Sequence, residues 1–440
     1  MANLSPSTNE RMTNISEDFI QYIWKFQRFA TTDFRSASGQ QIEVIHPGTH
    51  NRHGGPDFLH AQIRIDGTLW NGHVEIHLRS SDWIRHGHQD DDHYKNVILH
   101  VVLDHDREIY LHQPHDLPVL AMKDFIQADF LTTYQRWLHQ FEWIPCEKNA
   151  HNVEAVVWEN VKASMLVERL QERVSNIITE LELNKGNWAQ ITLREFFKAF
   201  GFKSNAGAMA LLADAIPYTI IARHQSDPLQ IEALLFGQAG LLEKGFESSY
   251  PEALRREYRI MQVKYGLKPI DAACWNLGRI RPHNSPWIRL AQIASALCAA
   301  EHLTTALLHG STNEMITWLK QPVNPYWDQH YAFDKPFAKP TAGVLGKSSA
   351  ETIIINAACR LQFAFGKFHQ DERMIEKAIA NLEKLVAEDN AILRRWESIG
   401  VHAHHAGDSQ SLIQLYTVYC TNEKCLNCAI GHQLLNSTPT

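Results

Sequence analysis

The order of apolar and polar residues divides this chain into a strand-rich first part and a helix-rich second part. A helix over residues 18–29 begins the pattern, with an acidic first turn and helical spacing of its apolar residues. Alternating or short apolar runs then predict β-strands at residues 41–47, 58–65, 69–78, 96–105 and 108–113. Beyond about residue 120 the apolar positions recur at helical spacing, as in the amphipathic stretch 165–183.

We therefore predict an α+β protein, with a mixed β-sheet domain at residues 18–145 and a larger all-α domain at residues 146–440. Residues 1–17 are polar and of mixed charge, so we expect a flexible N-terminus that is not a secretory signal. No run approaches the roughly 18 apolar residues that a membrane span requires. We expect a cytoplasmic protein without a membrane partner.

The charge of the chain limits how it could bind nucleic acid. A formal net charge of −7 gives no overall attraction to a phosphate backbone, so a nucleic-acid partner needs a local basic surface. Arg279, Arg281 and Arg289 provide a candidate surface, because tyrosines and tryptophans are interleaved with the basic residues between positions 250 and 290. The alternative is solvated helix faces above core aromatic residues.

Histidines are concentrated in the strand-rich part of the chain. Thirteen of the 25 fall between His46 and His115, in the same region as several carboxylates. Imidazoles bind transition metals and carboxylates bind harder cations, so the cluster predicts a metal site. Asp82, His86 and His88 fall in a polar loop and are candidates for additional ligands or phosphate contacts. The alternative is that these histidines are ordinary polar side chains on half-exposed strands.

The most specific part of this cluster is Asp57, directly after Pro56, with Glu75-x-His77 on the next predicted strand. This spacing resembles the PD-(D/E)XK phosphodiesterase superfamily, in which an aspartate opens one strand and Glu-x-Lys lies on the next. The resemblance implies a restriction-endonuclease-like sheet in which Asp57 and Glu75 bind Mg²⁺ or Mn²⁺, with Glu43 as an upstream carboxylate. His77 stands in place of the lysine and, on this hypothesis, lies near the attacking water.

Whether Asp57 and Glu75 share one face of the sheet depends on the hairpin register. If Asp66-Gly67 forms a two-residue turn, Phe58 lies opposite Glu75 and Asp57 points to the other face. A three-residue loop, or a bulge such as one near Asn71-Gly72, brings Asp57 onto the face of Glu75. The sequence leaves both registers open.

Three cysteines lie within nine residues near the end of the chain, as Cys420-x₄-Cys425-x₂-Cys428. In a chain with seven cysteines in 440 residues, this spacing predicts metal ligands rather than disulfides; the alternative is three unrelated cysteines. Cys146 is the best candidate for a fourth ligand, and His432 is the second. Zinc is the default metal, although an iron–sulfur cluster uses the same thiolates, and either would be structural.

Motifs along nearly the whole chain resemble a bacterial domain-of-unknown-function family, number 2851, found mostly in Bacteroidetes. They include VIHPGTHNRHGGPDF, NGHVEIHLRSSDW, HGHQDDDHYKNVILHVV, IEALLFGQAGLL and RIRPHNSPWIRLAQ. This resemblance implies a single intact protein and no particular activity. Our leading hypothesis is a metal-dependent phosphodiesterase that acts on nucleic acid. The competing hypothesis is a non-catalytic nucleic-acid or protein interaction module with a degenerate nuclease core, and a histidine–carboxylate zinc hydrolase is a third.

Overall fold

The computed structural model describes residues 15–29, 34–51, 54–109, 117–126, 131–132, 134, 142–278, 280–340 and 343–436. The chain divides into two compact units, one comprising Met1–Val161 with Tyr416–Thr440 and the other Lys162–Leu415. The α+β prediction is confirmed, because the first unit contains a mixed sheet and the second is mostly helical. Residues 416–440 belong to the first unit, whereas the sequence pattern had grouped them with the helical domain.

The first unit is built on a sheet whose strands run in both directions. Helix α1 (Glu17–Lys25) precedes β1 (Ile42–His46), β2 (Thr49–His50), β3 (Phe58–Ile65), β4 (Thr68–Arg79), β5 (Val97–Asp104) and β6 (Val119–Ala121). The spatial order is β1-β3-β4-β5-β6, with β2 beside β3. Strands β1, β3 and β4 are antiparallel neighbours, whereas β5 runs parallel to β4 and to β6. Residues 108–109 are not in a strand, and residues 110–113 of that predicted strand lie outside the described residues.

Local chemistry explains the hairpin and the helix that frame the candidate site. Asp66 and Gly67 have φ values of 46° and 83°, as a type I′ turn requires, so Ile65 pairs directly with Thr68. Helix α1 buries one apolar face and packs on β4, and its Trp24 indole donates a hydrogen bond to the Pro47 carbonyl at 3.0 Å. This packing brings the acidic first turn of α1 to the sheet.

Helices form most of the second unit. The remaining helices of the described residues are α2 (Asp82–Arg85), α3 (Ala155–Leu183), α4 (Trp188–Phe200), α5 (Ala206–Asp214), α6 (Tyr218–His224), α7 (Pro228–Gln238), α8 (Ser249–Tyr265), α9 (Pro286–Ala299), α10 (Leu303–His309), α11 (Thr312–Leu319), α12 (Lys347–Ile353), α13 (Arg360–His369), α14 (Glu372–Lys384), α15 (Ala391–Ser398), α16 (Ala406–Gln414) and α17 (Ala429–Asn436). Among the described helices, none is by itself both long and apolar enough to cross a membrane. Only the pair α5 and α6, bent by 81°, has the length and composition to do so together.

A buried glutamate in α7 makes the stability of this unit dependent on pH. Glu232 is 5% exposed, its carboxyl contacts Tyr250, and burial raises its pKa from 4.5 to about 7. Between these two values the folded state binds more protons than the unfolded state, so stability falls as pH rises. Between pH 4.5 and pH 8 we expect the wild type to lose roughly 3 kcal/mol more stability than the isosteric variant Glu232→Gln, because the other titrating groups are the same in both proteins. Urea unfolding at both pH values measures this, and identical pH profiles for the two proteins would contradict it.

Candidate metal centre

A bulge in β3 decides which face of the sheet carries Asp57. The two-residue turn sets the register as far as Ala61, which pairs with Gly72, but Phe58 pairs with Val74 rather than with Glu75. Two residues of β3 therefore lie opposite one residue of β4, and one of the two, His60, has a φ of 58°. The bulge is on β3, opposite His73 and beside Gly72, and it brings Asp57 level with Glu75.

The backbone conformation at His60 gives a direct test of the bulge. His60 is exposed, so its side chain contributes little packing, but a β-branched residue fits poorly at positive φ. We expect His60→Val to destabilise the protein by about 1–2 kcal/mol and His60→Gly to be neutral or slightly stabilising. Gln62→Val, at an exposed position of regular β3, is the control and should be neutral. Equal urea midpoints for the two valine variants would argue against the bulge.

The carboxylates of Asp57 and Glu75 are joined by reciprocal backbone hydrogen bonds. The Asp57 amide donates to Glu75 Oε2 at 3.1 Å, and the Ile76 amide donates to Asp57 Oδ2 at 3.0 Å. Gln21 of α1 donates to the other oxygen of Asp57 at 2.9 Å. Burial raises the pKa of both carboxyls, and the charge of Asp57 raises that of Glu75 further. The pair therefore requires a proton or a cation to be stable.

Three histidines converge beside Glu75. The ligand nitrogens of His77, His86 and His88 all lie within 4.8 Å of one another. His77 Nε2 is 3.1 Å from His86 Nδ1, and Glu75 Oε1 lies 3.4 Å from His77 Nε2 and 3.3 Å from His88 Nε2. Ligands bound at about 2.0–2.1 Å around one tetrahedral ion are separated by about 3.3 Å, so the His77–His86, Glu75–His77 and Glu75–His88 separations each match a pair of ligands on one ion, although Glu75 is not part of the group of three mutually close nitrogens.

A second layer of histidine orients the first. His77 is fully buried on β4, and its Nδ1 is 2.9 Å from Nε2 of His100 on β5. A His77 tautomer that donates from Nδ1 to His100 leaves the Nε2 lone pair free for a metal. Burial, followed by the neighbouring imidazoles, lowers the pKa of His77 to about 2. The ring is therefore neutral and cannot supply the positive charge of a lysine.

His86 and His88 reach the centre from the short crossover between β4 and β5. Helix α2 (Asp82–Arg85) is a single turn, and His88 lies in the next turn with its ring stacked on Tyr94 at 3.8 Å. The Nε2 atom of His88 is buried and has no hydrogen-bond partner in the described part of the chain. His86 is exposed, so the centre can be reached from solvent.

Two carboxylates predicted for the site lie outside the histidine cluster. Glu43 on β1 forms an ion pair with Arg64, and its side chain is 58% exposed. Asp82 closes the turn after β4, since it accepts from the Arg79 amide at 3.1 Å and pairs with Arg85 at 3.0 Å. The structure brings neither of them to the ligand nitrogens.

Glu17, the first residue of α1, is a carboxylate that sequence reasoning missed. Burial raises its pKa, with charge interactions from His86 and Asp82 and a backbone hydrogen bond from Leu78. It was assigned to the flexible N-terminus because it lies at the boundary of residues 1–17. The available signal was the acidic first turn of a helix whose apolar face must pack on the sheet.

The four cysteines of the predicted structural site are close together in the first unit. Cys146, Cys420, Cys425 and Cys428 line one small cavity, and burial raises the pKa of Cys146 to about 12. No three of these four sulfurs lie within 4.8 Å of one another. Among the described residues, the ligand nitrogens of His77, His86 and His88 are the group that does. His432, the second candidate for a fourth ligand, instead contacts the Tyr22 hydroxyl at 2.9 Å.

The comparisons with known proteins identify a family and no function. No curated protein and no solved structure matches this chain. The model of a family described as a protein of unknown function (DUF2851) matches residues 17–391. The matched range begins at Glu17, includes every residue of the histidine centre, and ends before Cys420. Because the match covers more than half of the 440 residues, the chain belongs to the DUF2851 family.

Proposed function

We propose that this protein is a metal-dependent phosphodiesterase that acts on nucleic acid, with Glu75, His77, His86 and His88 as the metal ligands. The observation that carries the proposal is the position of Glu75 Oε1, 3.3–3.4 Å from the Nε2 atoms of His77 and His88. An acceptor-only carboxylate and neutral imidazoles at this separation suit one divalent cation.

The ligand set favours Mn²⁺ or Zn²⁺ over Mg²⁺. Imidazole nitrogen is a common ligand of first-row transition metals, whereas Mg²⁺ prefers oxygen. Both Asp57 oxygens already accept hydrogen bonds, from Gln21 and Ile76, so Asp57 holds the end of β3 beside Glu75 and is a positioning residue. A bound cation would lower the pKa of a coordinated water and stabilise the charge of a phosphoryl oxygen.

The surrounding sheet supports phosphodiester chemistry among the reactions open to such a centre. Asp57 before β3 and Glu75-x-His77 on β4 resemble the aspartate and Glu-x-Lys positions of the PD-(D/E)XK superfamily, and Glu17 adds a carboxylate from α1. Arg85, next to His86, is 67% exposed at the open side of the centre and could contact a substrate phosphate. The resemblance at these two positions and the basic residue favour a nucleic-acid substrate over the small-molecule substrate of an unrelated zinc hydrolase.

Metal analysis and a cleavage assay test this function. Purified protein should contain about one manganese or zinc ion per chain at the histidine centre. It should cleave at least one of single- and double-stranded DNA and RNA, with more activity in Mn²⁺ than in Mg²⁺ and none in EDTA. Metal-loaded protein that binds nucleic acid without cleaving it would instead support the non-catalytic interaction module.

The cysteine cavity holds a second, structural metal centre. Four thiolates around one zinc ion lie about 3.8 Å apart, because each Zn–S bond is about 2.3 Å. Thiolates around an iron–sulfur cluster lie further apart, because each binds a different iron atom. In any three of these sulfurs at least one pair is more than 4.8 Å apart, which favours an iron–sulfur cluster over a single zinc ion.

A further inference from the structure

A cavity in the helical unit contains a buried arginine that has no acidic partner among the described residues. The cavity has a volume of about 240 Å³ and lies where α9 begins. Phe202, Asn205, Arg281, Asn284 and Arg289 are among the residues that line it. Arg281 and Arg289 belong to the basic stretch identified from the sequence, and Arg279 lies outside the described residues.

Arg289 carries a positive charge that the described protein does not neutralise. It is 5% exposed, and its guanidinium donates to the side-chain oxygens of Gln292 at 2.8 Å and Asn284 at 2.6 Å. The Phe202 ring lies 4.5 Å from the guanidinium carbon. The Arg289 Nε atom is buried and has no hydrogen-bond partner among the described residues. Burial alone lowers the pKa of Arg289 to about 10, with no contribution from a nearby charge.

A buried charge of this kind is costly unless an anion accompanies it. Removing an ion from water costs several kcal/mol even after the protein relaxes, and buried arginines are normally paired for that reason. Neutral amides and one aromatic face reduce the cost without cancelling the charge. Arg289 is therefore suited to a ligand that supplies negative charge.

The ends of two helices add positive potential to the same cavity. Helix α5 begins at Ala206, directly after the lining residue Asn205, and α9 begins at Pro286, itself a lining residue two positions after Asn284. Both helix N-termini favour anions through their dipoles. The C-terminal end of α4 also reaches the cavity, and the carbonyl groups of a helix end disfavour an anion. The Gly201 and Phe202 amides donate to carbonyls of that last turn, which reduces this effect. Exposed Arg281 adds a second full positive charge at the rim.

The geometry points to a binding site for a phosphate group, formed by Arg289, Arg281 and Asn284. The Arg289 fork is partly occupied by Gln292 and Asn284, so it is not free for flat, two-point binding of a carboxylate. The lining offers three separate donors instead: the Arg281 guanidinium, the side-chain amide of Asn284 and the Arg289 Nε–H, which has no partner among the described residues. This arrangement suits the tetrahedral oxygens of phosphate. The site is independent of the histidine centre and of the function proposed for it.

Calorimetric titration of the full-length protein tests this site with three probes: inorganic phosphate, a 5′-phosphorylated dinucleotide and the same dinucleotide without its 5′-terminal phosphate. We expect inorganic phosphate and the 5′-phosphorylated dinucleotide to bind the wild type. The dinucleotide that keeps only its internal phosphodiester should bind at least about tenfold more weakly. Tighter binding of the phosphorylated dinucleotide than of inorganic phosphate would identify a nucleic-acid end as the ligand. Equal binding would identify the phosphate group alone, and either result supports the site.

Two variants and one control separate loss of the site from loss of the fold. Arg289→Met should weaken phosphate binding at least about tenfold, and Arg281→Gln should weaken it severalfold. Arg281 is exposed, so its replacement tests the site even if Arg289→Met disturbs folding by leaving Gln292 without its donor. Arg259→Gln, an exposed arginine on α8, is the matched control and should bind like the wild type. Absence of phosphate binding by the wild type, or unchanged binding by Arg281→Gln and Arg289→Met, would overturn the proposal.

Discussion

Replacement of Glu75 by glutamine is expected to abolish metal-dependent cleavage, with a loss of more than about 100-fold in rate and a matching loss of metal affinity. Glutamine retains the shape of the side chain but not the charge that faces His77 and His88. Burial raises the pKa of Glu75, so the metal-free protein already favours the neutral form. The substitution should therefore leave the metal-free fold intact, as circular dichroism would verify.

Glu43→Gln is the matched control, since it makes the same chemical change on the same sheet. Glu43 is exposed and paired with Arg64, and a surface ion pair contributes at most about 1 kcal/mol. We expect this variant to retain wild-type metal content and cleavage rate. Full activity in Glu75→Gln, or an equal loss in both variants, would contradict the assignment of the ligands.

Replacement of Cys420 by serine is expected to remove the structural metal and to destabilise the first unit by several kcal/mol. In small metal sites the free energy of metal binding contributes directly to folding, and a hydroxyl is a poor substitute for a thiolate. The wild type, prepared without oxygen, should contain iron and acid-labile sulfide in equal amounts and show visible absorption. The variant should lose all three and unfold at a lower urea concentration.

Cys274→Ser tests whether this effect is specific to the cysteine cavity. Cys274 is an exposed cysteine of the second unit, so its replacement should change neither the metal content nor the stability. Zinc without iron in the wild type would correct the identity of the metal and preserve the site. A wild-type protein with neither metal at the cysteines would remove the site.

Elements that depend on neighbouring residues could be predicted from the sequence. Asp66-Gly67 specified the hairpin turn, because both residues tolerate positive φ, and alternation predicted β3 and β4 to within a few residues. The strand predicted after β5 was not found at residues 108–109, where the apolar run is short and polar residues flank it. The histidine cluster also indicated a metal site, because its residue types are metal ligands regardless of the fold.

The carboxylates of the site could be predicted only in part. Asp57 and Glu75 were recognised by their spacing, but the sequence did not determine whether they shared a face, because one bulge residue reverses the answer. Glu17 was missed because its role arises from the packing of α1 on β4, which brings together residues far apart in the chain. Glu43 was chosen because it is close to Asp57 in the sequence, but its side chain on β1 faces solvent.

The sequence by itself determined the α+β fold class, the hairpin turn and the set of residues able to bind metals, because each follows from local backbone preference or side-chain chemistry. Only the tertiary structure decided which of these residues meet. It moved Asp57 to the face of Glu75 through a bulge at His60, and brought His86 and His88 to His77 through the crossover before β5. It also grouped Cys146 with three cysteines more than 270 positions away. Contacts between residues far apart in the sequence are determined by the burial of apolar faces, which depends on the whole chain.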